Sequence, residues 1–149
     1  MVSAARTPPA AAASATPSKP RTPRSAAAKA WVPERQEVIW IDCNPQAGGE
    51  MRDPHPMLVL SPGAFNARTG LIIGLPMTTA AYNATNPFAL AIGTASGRRK
   101  AGKTSYVLCH QPKSFDWRAR GAKPHSHGRL AEATFAQACA VLNQIIAIE

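Results

Sequence analysis

The 149-residue sequence has few acidic and few aromatic residues, and its cysteines are sparse. Eight Asp and Glu side chains stand against seventeen Lys and Arg, so the formal net charge is +9. This excess favours an anionic partner, with nucleic acid or a membrane surface as the first candidates. The three cysteines, at positions 43, 109 and 139, contain no Cys-x-x-Cys pair. A disulfide framework or a structural zinc site is therefore not expected, and a reducing cytoplasm fits.

The absence of other sequence features further limits the class of protein to which the chain can belong. No apolar run approaches the roughly 18 residues that a membrane span needs, and the N-terminus lacks the apolar segment of a signal peptide. Nothing resembles a phosphate-cradling glycine loop, a nucleophile elbow or a zinc signature. The two histidines of "PHSHG" (124–128) have no third ligand nearby in the sequence, so no metal or other cofactor is expected. We predict a cytoplasmic protein that does not bind membranes.

Residues 1–30 differ in composition from the rest of the chain. They hold five basic residues, no acidic one and almost no large apolar side chain. Such a segment buries too little surface to offset its ordering entropy, so we expect it to be disordered. It is either a basic arm that adds affinity for nucleic acid or, as we favour, an unselected leader or a start codon assigned too early. Residues 31–149 are predicted to form one folded domain.

Short β-forming segments separated by Gly, Pro and Asn dominate this domain. The predicted strands are Glu37–Asp42, Pro56–Ser61, Leu71–Met77, Asn86–Gly93 and Thr104–His110, with a sixth extended piece around 117–121. One helical turn is expected within Pro62–Gly70. Between Leu130 and Ile148 the apolar residues recur at intervals of three and four, which predicts a helix. The pattern indicates a mainly β fold, a small antiparallel barrel or sandwich covered by a C-terminal helix.

Four side chains next to predicted strands suit acid–base or phosphate chemistry. Glu50 follows a Gly-Gly pair in a loop, where most carboxylates are simply solvated. His55 lies between two prolines, and an imidazole presented so rigidly suits general acid or base work, unless it is an ordinary surface histidine. Thr78 and Thr79 end the third strand, where hydroxyls either bind a phosphate or start a turn.

Two basic segments add candidates for RNA binding. The loop "GRRKAGK" is either a phosphate-gripping arm or a solubilising loop, and its cations are Arg98, Arg99, Lys100 and Lys103. The segment 110–123 interleaves cations with aromatic rings, as binding of single-stranded nucleic acid requires. Its candidates are His110, Gln111, Lys113, Trp117, Arg118 and Arg120. The alternative is a core tryptophan with a solvated basic rim, and both interpretations can hold together.

Several stretches between about residues 31 and 148 occur in an order that resembles the MazF/PemK family of toxin endoribonucleases. They are "EVIWIDCNPQAGGE", "HPMLVLSP", "FNARTG", "GLPMTT", "HQPKS", "DWRARGAK" and "LNQIIAI". The resemblance implies an SH3-like antiparallel β-barrel with a C-terminal α-helix, working as a homodimer. It implies metal-independent cleavage of single-stranded RNA and neutralisation by a small cognate antitoxin that competes with RNA for the dimer groove. DNA is expected only indirectly, through that antitoxin.

The resemblance also assigns site residues. Glu50 matches the loop carboxylate of the family, and Thr78 matches the hydroxyl after its third strand. The family's catalytic arginine is absent, because His55 stands in its place. A second departure is His110, where members often carry Asp, so no cleavage sequence is carried over.

Three outcomes of the missing arginine remain open, in this order of preference. Protonated His55 neutralises the reacting phosphate and donates a proton, which gives an activity that falls as the imidazole loses its charge. Arg52, earlier in the same loop, supplies the cation instead. In the third outcome the protein is a weakened member, or a non-catalytic SH3-like module that binds RNA or an antitoxin.

Overall fold

The strands form an antiparallel sheet that curls into a half-barrel and is followed by one long helix. The computed structural model describes residues 29–95 and 101–148. Its strands are β1 (Glu37–Asp42), β2 (Pro54–Val59), β3 (Leu71–Thr78), β4 (Ala89–Thr94), β5 (Thr104–Leu108), β6 (Lys113–Asp116) and β7 (Lys123–Arg129). Its helices are α1 (Gly63–Thr69), a 3-10 helix (Ala81–Thr85) and α2 (Glu132–Ile146). The predicted mainly β fold with a C-terminal helix is confirmed.

Two predictions fall largely outside the described residues. The tail predicted to be disordered covers residues 1–30, of which the structure describes 29 and 30. Three cations of the basic loop, Arg98, Arg99 and Lys100, also lie outside the described ranges. Within those ranges, no helix combines the length and the apolar character needed to cross a membrane.

The strand β3 organises the sheet. The hydrogen-bonded order is β4-β5-β3-β2-β1-β7, and β6 also pairs with β3. β5 pairs with the end of β3 at Met77 and Thr78, whereas β6 pairs with its beginning, from Leu71 to Gly74. One long strand therefore carries two short ones at its opposite ends, and this arrangement accompanies the curl of the sheet.

Both faces of the central strands are buried. On β1, Val38 packs into a cluster that includes Phe135 and Leu142 of α2, while Ile39 packs into a second cluster with Phe115. Successive side chains of a strand point to opposite faces, so adjacent residues enter different cores. Burial on both sides explains why β1 and β2 have nearly continuous apolar runs in the sequence.

The helix α1 is longer than the single turn predicted, and it encloses a buried polar residue. Gly70 ends the helix with φ 74°, a left-handed conformation that glycine adopts without strain. Asn66 is fully buried and donates from Nδ2 to the carbonyl oxygens of Pro33 (2.8 Å) and Ser61 (3.1 Å). The Ser61 hydroxyl donates to Asn66 Oδ1 at 2.6 Å. Asn66 thus connects α1 to the segment that precedes β1.

Two predicted strands, the sixth and the fourth, differ most from the structure, and one strand was not predicted at all. The sixth strand is Lys113–Asp116, and the residues 117–121 after it form a turn instead. The fourth strand begins only at Ala89, because the Asn86 side chain accepts the Phe88 N–H and closes a turn. β7 was not predicted, since its mostly exposed sequence has little β-branched or aromatic character. Pairing with β1, rather than local propensity, makes it a strand.

Candidate active site

The neighbouring strands β2 and β3 bring two of the predicted catalytic residues together. Their antiparallel register, extended by two residues, puts His55 opposite Thr78. Thr78 in turn pairs with Tyr106 of β5. His55 and Thr78 line one open cleft, which Thr79 and Lys103 also line. We refer to this as the His55 cleft.

The loop before β2 fixes the backbone at His55. Asp53 has φ 61°, and its backbone N–H donates to Asn44 Oδ1 at 3.1 Å. In return, Asn44 Nδ2 donates to Asp53 Oδ1, also at 3.1 Å. The His55 ring nitrogen Nδ1 lies 3.5 Å from the Asp53 carbonyl oxygen. This pair of reciprocal bonds and the flanking prolines hold the imidazole at the edge of the cleft.

The Thr78 hydroxyl keeps a donor for a ligand. Its oxygen accepts the Ala80 N–H at 3.2 Å, which forms the turn after β3. A hydroxyl has one hydrogen as well as two lone pairs, so Thr78 remains able to donate. With the Lys103 ammonium group at the same cleft, the His55 cleft offers an imidazole, hydroxyls and a cation. This combination suits a phosphate group.

Glu50, the predicted carboxylate, lines a different cleft. That second cleft, here the Glu50 cleft, also includes His110, Gln111 and Lys113. Glu50 Oε2 is 2.8 Å from Lys113 Nζ. The hydrogen bond from Lys113 lowers the pKa of Glu50 below its usual 4.5, with a smaller contribution from the Ala47 N–H. The structure therefore does not place Glu50 in the same cleft as His55 and Thr78.

Two buried polar atoms of the Glu50 cleft have no partner among the described residues. They are His110 Nδ1 and Gln111 Oε1. The His110 ring lies 5.9 Å from the ring of Phe88, and its Nε2 is 3.4 Å from Gln111 Nε2. Buried polar atoms without partners are uncommon in folded proteins, so these two are candidate contacts for a ligand. Arg52 lines neither this cleft nor the His55 cleft and is exposed.

Trp117 was predicted to contact RNA, but the structure places it in the core. It is 8% exposed, and its Nε1 donates to the Asn66 carbonyl oxygen at 3.0 Å. The ring meets Trp31 edge-on, with centroids 6.0 Å apart. Arg118 lies over the Trp117 ring at 4.7 Å and donates to the Ala67 carbonyl oxygen. Trp117 is thus not available to stack on a base. This agrees with the alternative interpretation of the sequence, in which the tryptophan belongs to the core.

Arg120 also has structural contacts. Its guanidinium group lies 4.0 Å from the centre of the Phe115 ring and donates to the Asp42 carbonyl oxygen at 2.9 Å. It donates to the Asn44 carbonyl oxygen as well. Arg120 therefore braces the start of the loop that carries Glu50, which is a different role from the predicted RNA contact.

Sequence reasoning missed a recess beside the His55 cleft. Trp40, His125 and His127 are among the residues that line it. The signal was present in "PHSHG", because a strand places residues two apart on one face. Across residues 29–95 and 101–148, no three His, Cys, Asp or Glu side chains converge as metal ligands.

The fold and the clefts together indicate the general class of protein. The class is that of small half-barrel proteins with a C-terminal helix, and here one open cleft combines imidazole, hydroxyl and ammonium groups. Within this class, the chain belongs to the PemK-like, MazF-like toxins of type II toxin–antitoxin systems, whose family model matches residues 34–146.

Individual relatives agree with this assignment. Over 92 residues the chain is 37% identical to the endoribonuclease toxin MazF of Escherichia coli K12, which covers 62% of this chain and 76% of that protein. The crystal structure of MazF from Deinococcus radiodurans is similar with a TM-score of 0.66 and 30% identity, over 80% of this chain and 100% of the other. A MazE–MazF crystal structure from the same organism gives a TM-score of 0.61 and 26% identity over the same shares.

Proposed function

We propose that this endoribonuclease toxin cleaves single-stranded RNA without a metal, using the ribose 2′-OH as nucleophile. The observation that carries the proposal is the His55 cleft, where an imidazole, three threonines and a lysine surround one open space. Such a set supplies donors and a cation for the oxygens of a phosphodiester. The endoribonuclease activity itself follows the family of the chain.

The reaction needs three kinds of group. A base removes the 2′ proton as O2′ bonds to phosphorus, and an acid protonates O5′ as the P–O5′ bond breaks. Donors stabilise the charge on the non-bridging oxygens meanwhile. The products are a 2′,3′-cyclic phosphate and a 5′-hydroxyl end.

His55 and Thr78 take the roles closest to the phosphorus. Protonated His55 offsets the negative charge and then gives its proton to O5′, because one imidazolium can serve as both cation and acid. Thr78 and Lys103 donate to the non-bridging oxygens from the same cleft. This assignment explains how the chain works with a histidine at the position where its family commonly has arginine.

Glu50 is the proposed base, and its position imposes a condition. The carboxylate is ionised at neutral pH, as a base must be, and the hydrogen bond from Lys113 that lowers its pKa must be given up before it accepts a proton. Since Glu50 lines a separate cleft, the loop between β1 and β2 must move for it to reach a 2′-OH held at His55. A phosphate that binds Lys113 would compete with Glu50 for the ammonium group and release the loop.

The separation of Glu50 from His55 also favours a second candidate function. In that alternative the half-barrel binds RNA or an antitoxin through the same clefts and does not cleave. Arg52 provides a third arrangement, in which it swings into the His55 cleft as the cation.

Incubation of purified protein with a long single-stranded RNA in EDTA tests the proposal. We expect defined fragments with 5′-hydroxyl ends, and a loss of about 10²- to 10⁴-fold in rate for His55→Ala and for Glu50→Gln. Thr78→Ala should also lower the rate, because it removes a donor to the phosphate, and Ser114→Ala, which changes an exposed hydroxyl on β6, is its matched control. Intact RNA that still binds the protein would establish the non-catalytic alternative. Normal cleavage by His55→Ala with loss in Arg52→Ala would transfer the cationic role to Arg52.

His55→Arg separates the two roles of the imidazole. If His55 acts as an acid and a cation, the wild-type rate should fall with rising pH as the imidazole loses its proton. The neutral imidazole has no positive charge and no proton to donate to O5′. Arginine stays charged over the measured range, so the variant should lose this fall and keep a reduced rate. Rates measured from pH 5 to 9 provide the comparison. An identical fall in wild type and His55→Arg would exclude His55 as the titrating group.

We further propose a homodimer that a cognate antitoxin neutralises by competing with RNA. Exposed Ile145 and Ile146 on α2 give an apolar surface compatible with self-association. The antitoxin is expected from the family, and DNA is expected to be contacted only through it. Sedimentation of the free protein tests the dimer, and displacement of labelled RNA by the co-expressed neighbouring gene product tests the competition.

A further inference from the structure

We infer that the recess beside the His55 cleft binds one unstacked base of the RNA, with Trp40 as the stacking surface. The inference deepens the proposed function, since it assigns recognition of a nucleotide next to the one that reacts. It uses none of the residues given a role in the chemical step except Thr78, which borders both spaces.

The recess joins an apolar floor to a polar rim. Pro56, Met77 and Ile92 supply apolar surface, and Thr94 and Ser105 supply hydroxyl groups. A nucleobase has this same division, with a flat apolar face and an edge of donors and acceptors. Proteins that recognise single-stranded RNA stack aromatic side chains on the flat face of a base and form hydrogen bonds with its polar edge.

The ring of Trp40 is placed for stacking. It is 37% exposed although it lies on a strand whose neighbours Ile39 and Ile41 are almost completely buried. The His125 ring lies 4.9 Å from it, at an angle of 41°. The His127 N–H donates to His125 Nδ1 at 2.9 Å, which orients that imidazole. Two oriented flat rings therefore border one recess.

The recess adjoins the cleft of the proposed reaction. Thr78 and Thr79 line both the recess and the His55 cleft. Trp40 pairs with Pro56 on β2, the residue that directly follows His55. On its other side, Trp40 pairs with Lys123 of β7, a cation available to the backbone of the same strand of RNA. A phosphate at His55 and a base on Trp40 thus fit one short segment of RNA.

Charge favours RNA over an acidic antitoxin peptide as the occupant. Among the described residues that line the recess there is no carboxylate, and equally no Lys or Arg that would pair with acidic side chains inside it. Hydroxyls and imidazoles instead match the neutral edge of a base. Binding of an antitoxin side chain in the recess is the competing outcome of the test.

Binding of short, labelled single-stranded homopolymers tests the inference without requiring cleavage. The variants are Trp40→Ala, Trp40→Phe and the control Ile73→Ala, which removes a similarly exposed apolar side chain from β3. We expect Trp40→Ala to weaken binding of the preferred homopolymer about tenfold or more, whereas Trp40→Phe retains most of it. Thermal melting checks that each variant is folded.

An abasic strand of the same length allows a cycle of double changes, in which Trp40→Ala is combined with removal of the bases. Loss of the bases should weaken binding to the wild type and should weaken it much less in Trp40→Ala, because both changes remove the same stacking contact. Equal losses in the two proteins would overturn the inference, as would unchanged RNA binding combined with lost antitoxin binding in Trp40→Ala. Cleavage in EDTA reports separately on the proposed function. There, Trp40→Ala should raise KM and spare kcat, whereas His55→Ala should lower kcat.

Discussion

At the scale of single residues, the ion pair of Glu50 and Lys113 decides when the carboxylate becomes protonated. The pKa of Glu50 is lowered, so the charged form persists to a lower pH than in an unpaired glutamate. Because Glu50 is well exposed, salt weakens the pair, and its contribution lies in protonation rather than in stability. The pair is a property of the three-dimensional structure, since 63 positions separate the two residues.

Lys113→Met should raise the pKa of Glu50 back towards 4.5. The pKa rises because removal of the hydrogen-bond donor and of the positive charge of Lys113 makes the carboxylate easier to protonate. An NMR titration of the Glu50 carboxyl group in low salt measures the shift, and the acid side of the cleavage profile should move up in the same direction. Lys123→Met, a change of equal charge on β7, should leave the titration of Glu50 unchanged.

Asn66 shows how one buried polar side chain holds several segments together. Its side chain bonds to Pro33 and Ser61, while its carbonyl oxygen accepts from the Trp117 indole. The sequence stretch "FNARTG" contributed to the family resemblance, but nothing in it indicates that the asparagine is completely buried.

Asn66→Ala should destabilise the fold by at least about 2 kcal/mol, because it leaves buried partners without hydrogen bonds. Urea unfolding followed by circular dichroism measures the change, and Gln144→Ala, at an exposed position on α2, is the control. A loss no larger than that of the control would mean that the network contributes little to stability.

At the scale of elements, β3 is constrained by the strands on both sides of it. Gly74 pairs with Val59 of β2 and with Lys113 of β6. A Cβ at this position would lie 2.7 Å from the Leu58 carbonyl oxygen and 2.8 Å from Met57 Cγ. The close approach of β2 therefore requires a residue without a side chain.

Gly74→Ala should cost about 1–3 kcal/mol, as expected for overpacking a tight site. Gly49→Ala is a matched control, because a Cβ there meets nothing within 4 Å and the backbone is outside the left-handed region. Equilibrium unfolding of both variants should show a lower midpoint for the first alone. Equal midpoints would mean that β2 moves away without cost.

At the scale of the whole molecule, the buried thiols link stability to alkaline pH. Burial raises the pKa of Cys109 to about 11 from 9.0, and it also raises the pKa of Cys43 and Cys139. The folded protein therefore holds the thiol proton more tightly than the unfolded chain does. The stabilisation is complete below pH 9 and is lost as the pH rises towards 11.

We expect the urea midpoint to fall between pH 9 and pH 11, and to fall less in Cys109→Ala. Comparison of the two proteins cancels the titration of the lysines and tyrosines, which both share. The native thiols should also react slowly with iodoacetamide at pH 8 and rapidly in denaturant, because a protonated, buried thiol is a poor nucleophile. An equally steep fall in both proteins would remove Cys109 as the cause.

Features that depend on neighbours along the chain were predictable from the sequence alone. β1 was predicted with its observed bounds, and the apolar period between Leu130 and Ile148 predicted α2. The ordered motifs indicated the family and its endoribonuclease activity, which are confirmed. Periodicity and local motifs are sufficient here, because strand and helix geometry repeats over two and 3.6 residues.

Contacts between residues far apart in the sequence became visible in the three-dimensional structure. It buried Trp117 against Asn66, 51 positions away, and assigned Arg120 to brace a loop. It also made β7 a strand, separated Glu50 from His55, and opened a recess at Trp40. The physical reason is that these contacts depend on strand pairing and register across the sheet, where a shift of one residue turns each side chain to the opposite face.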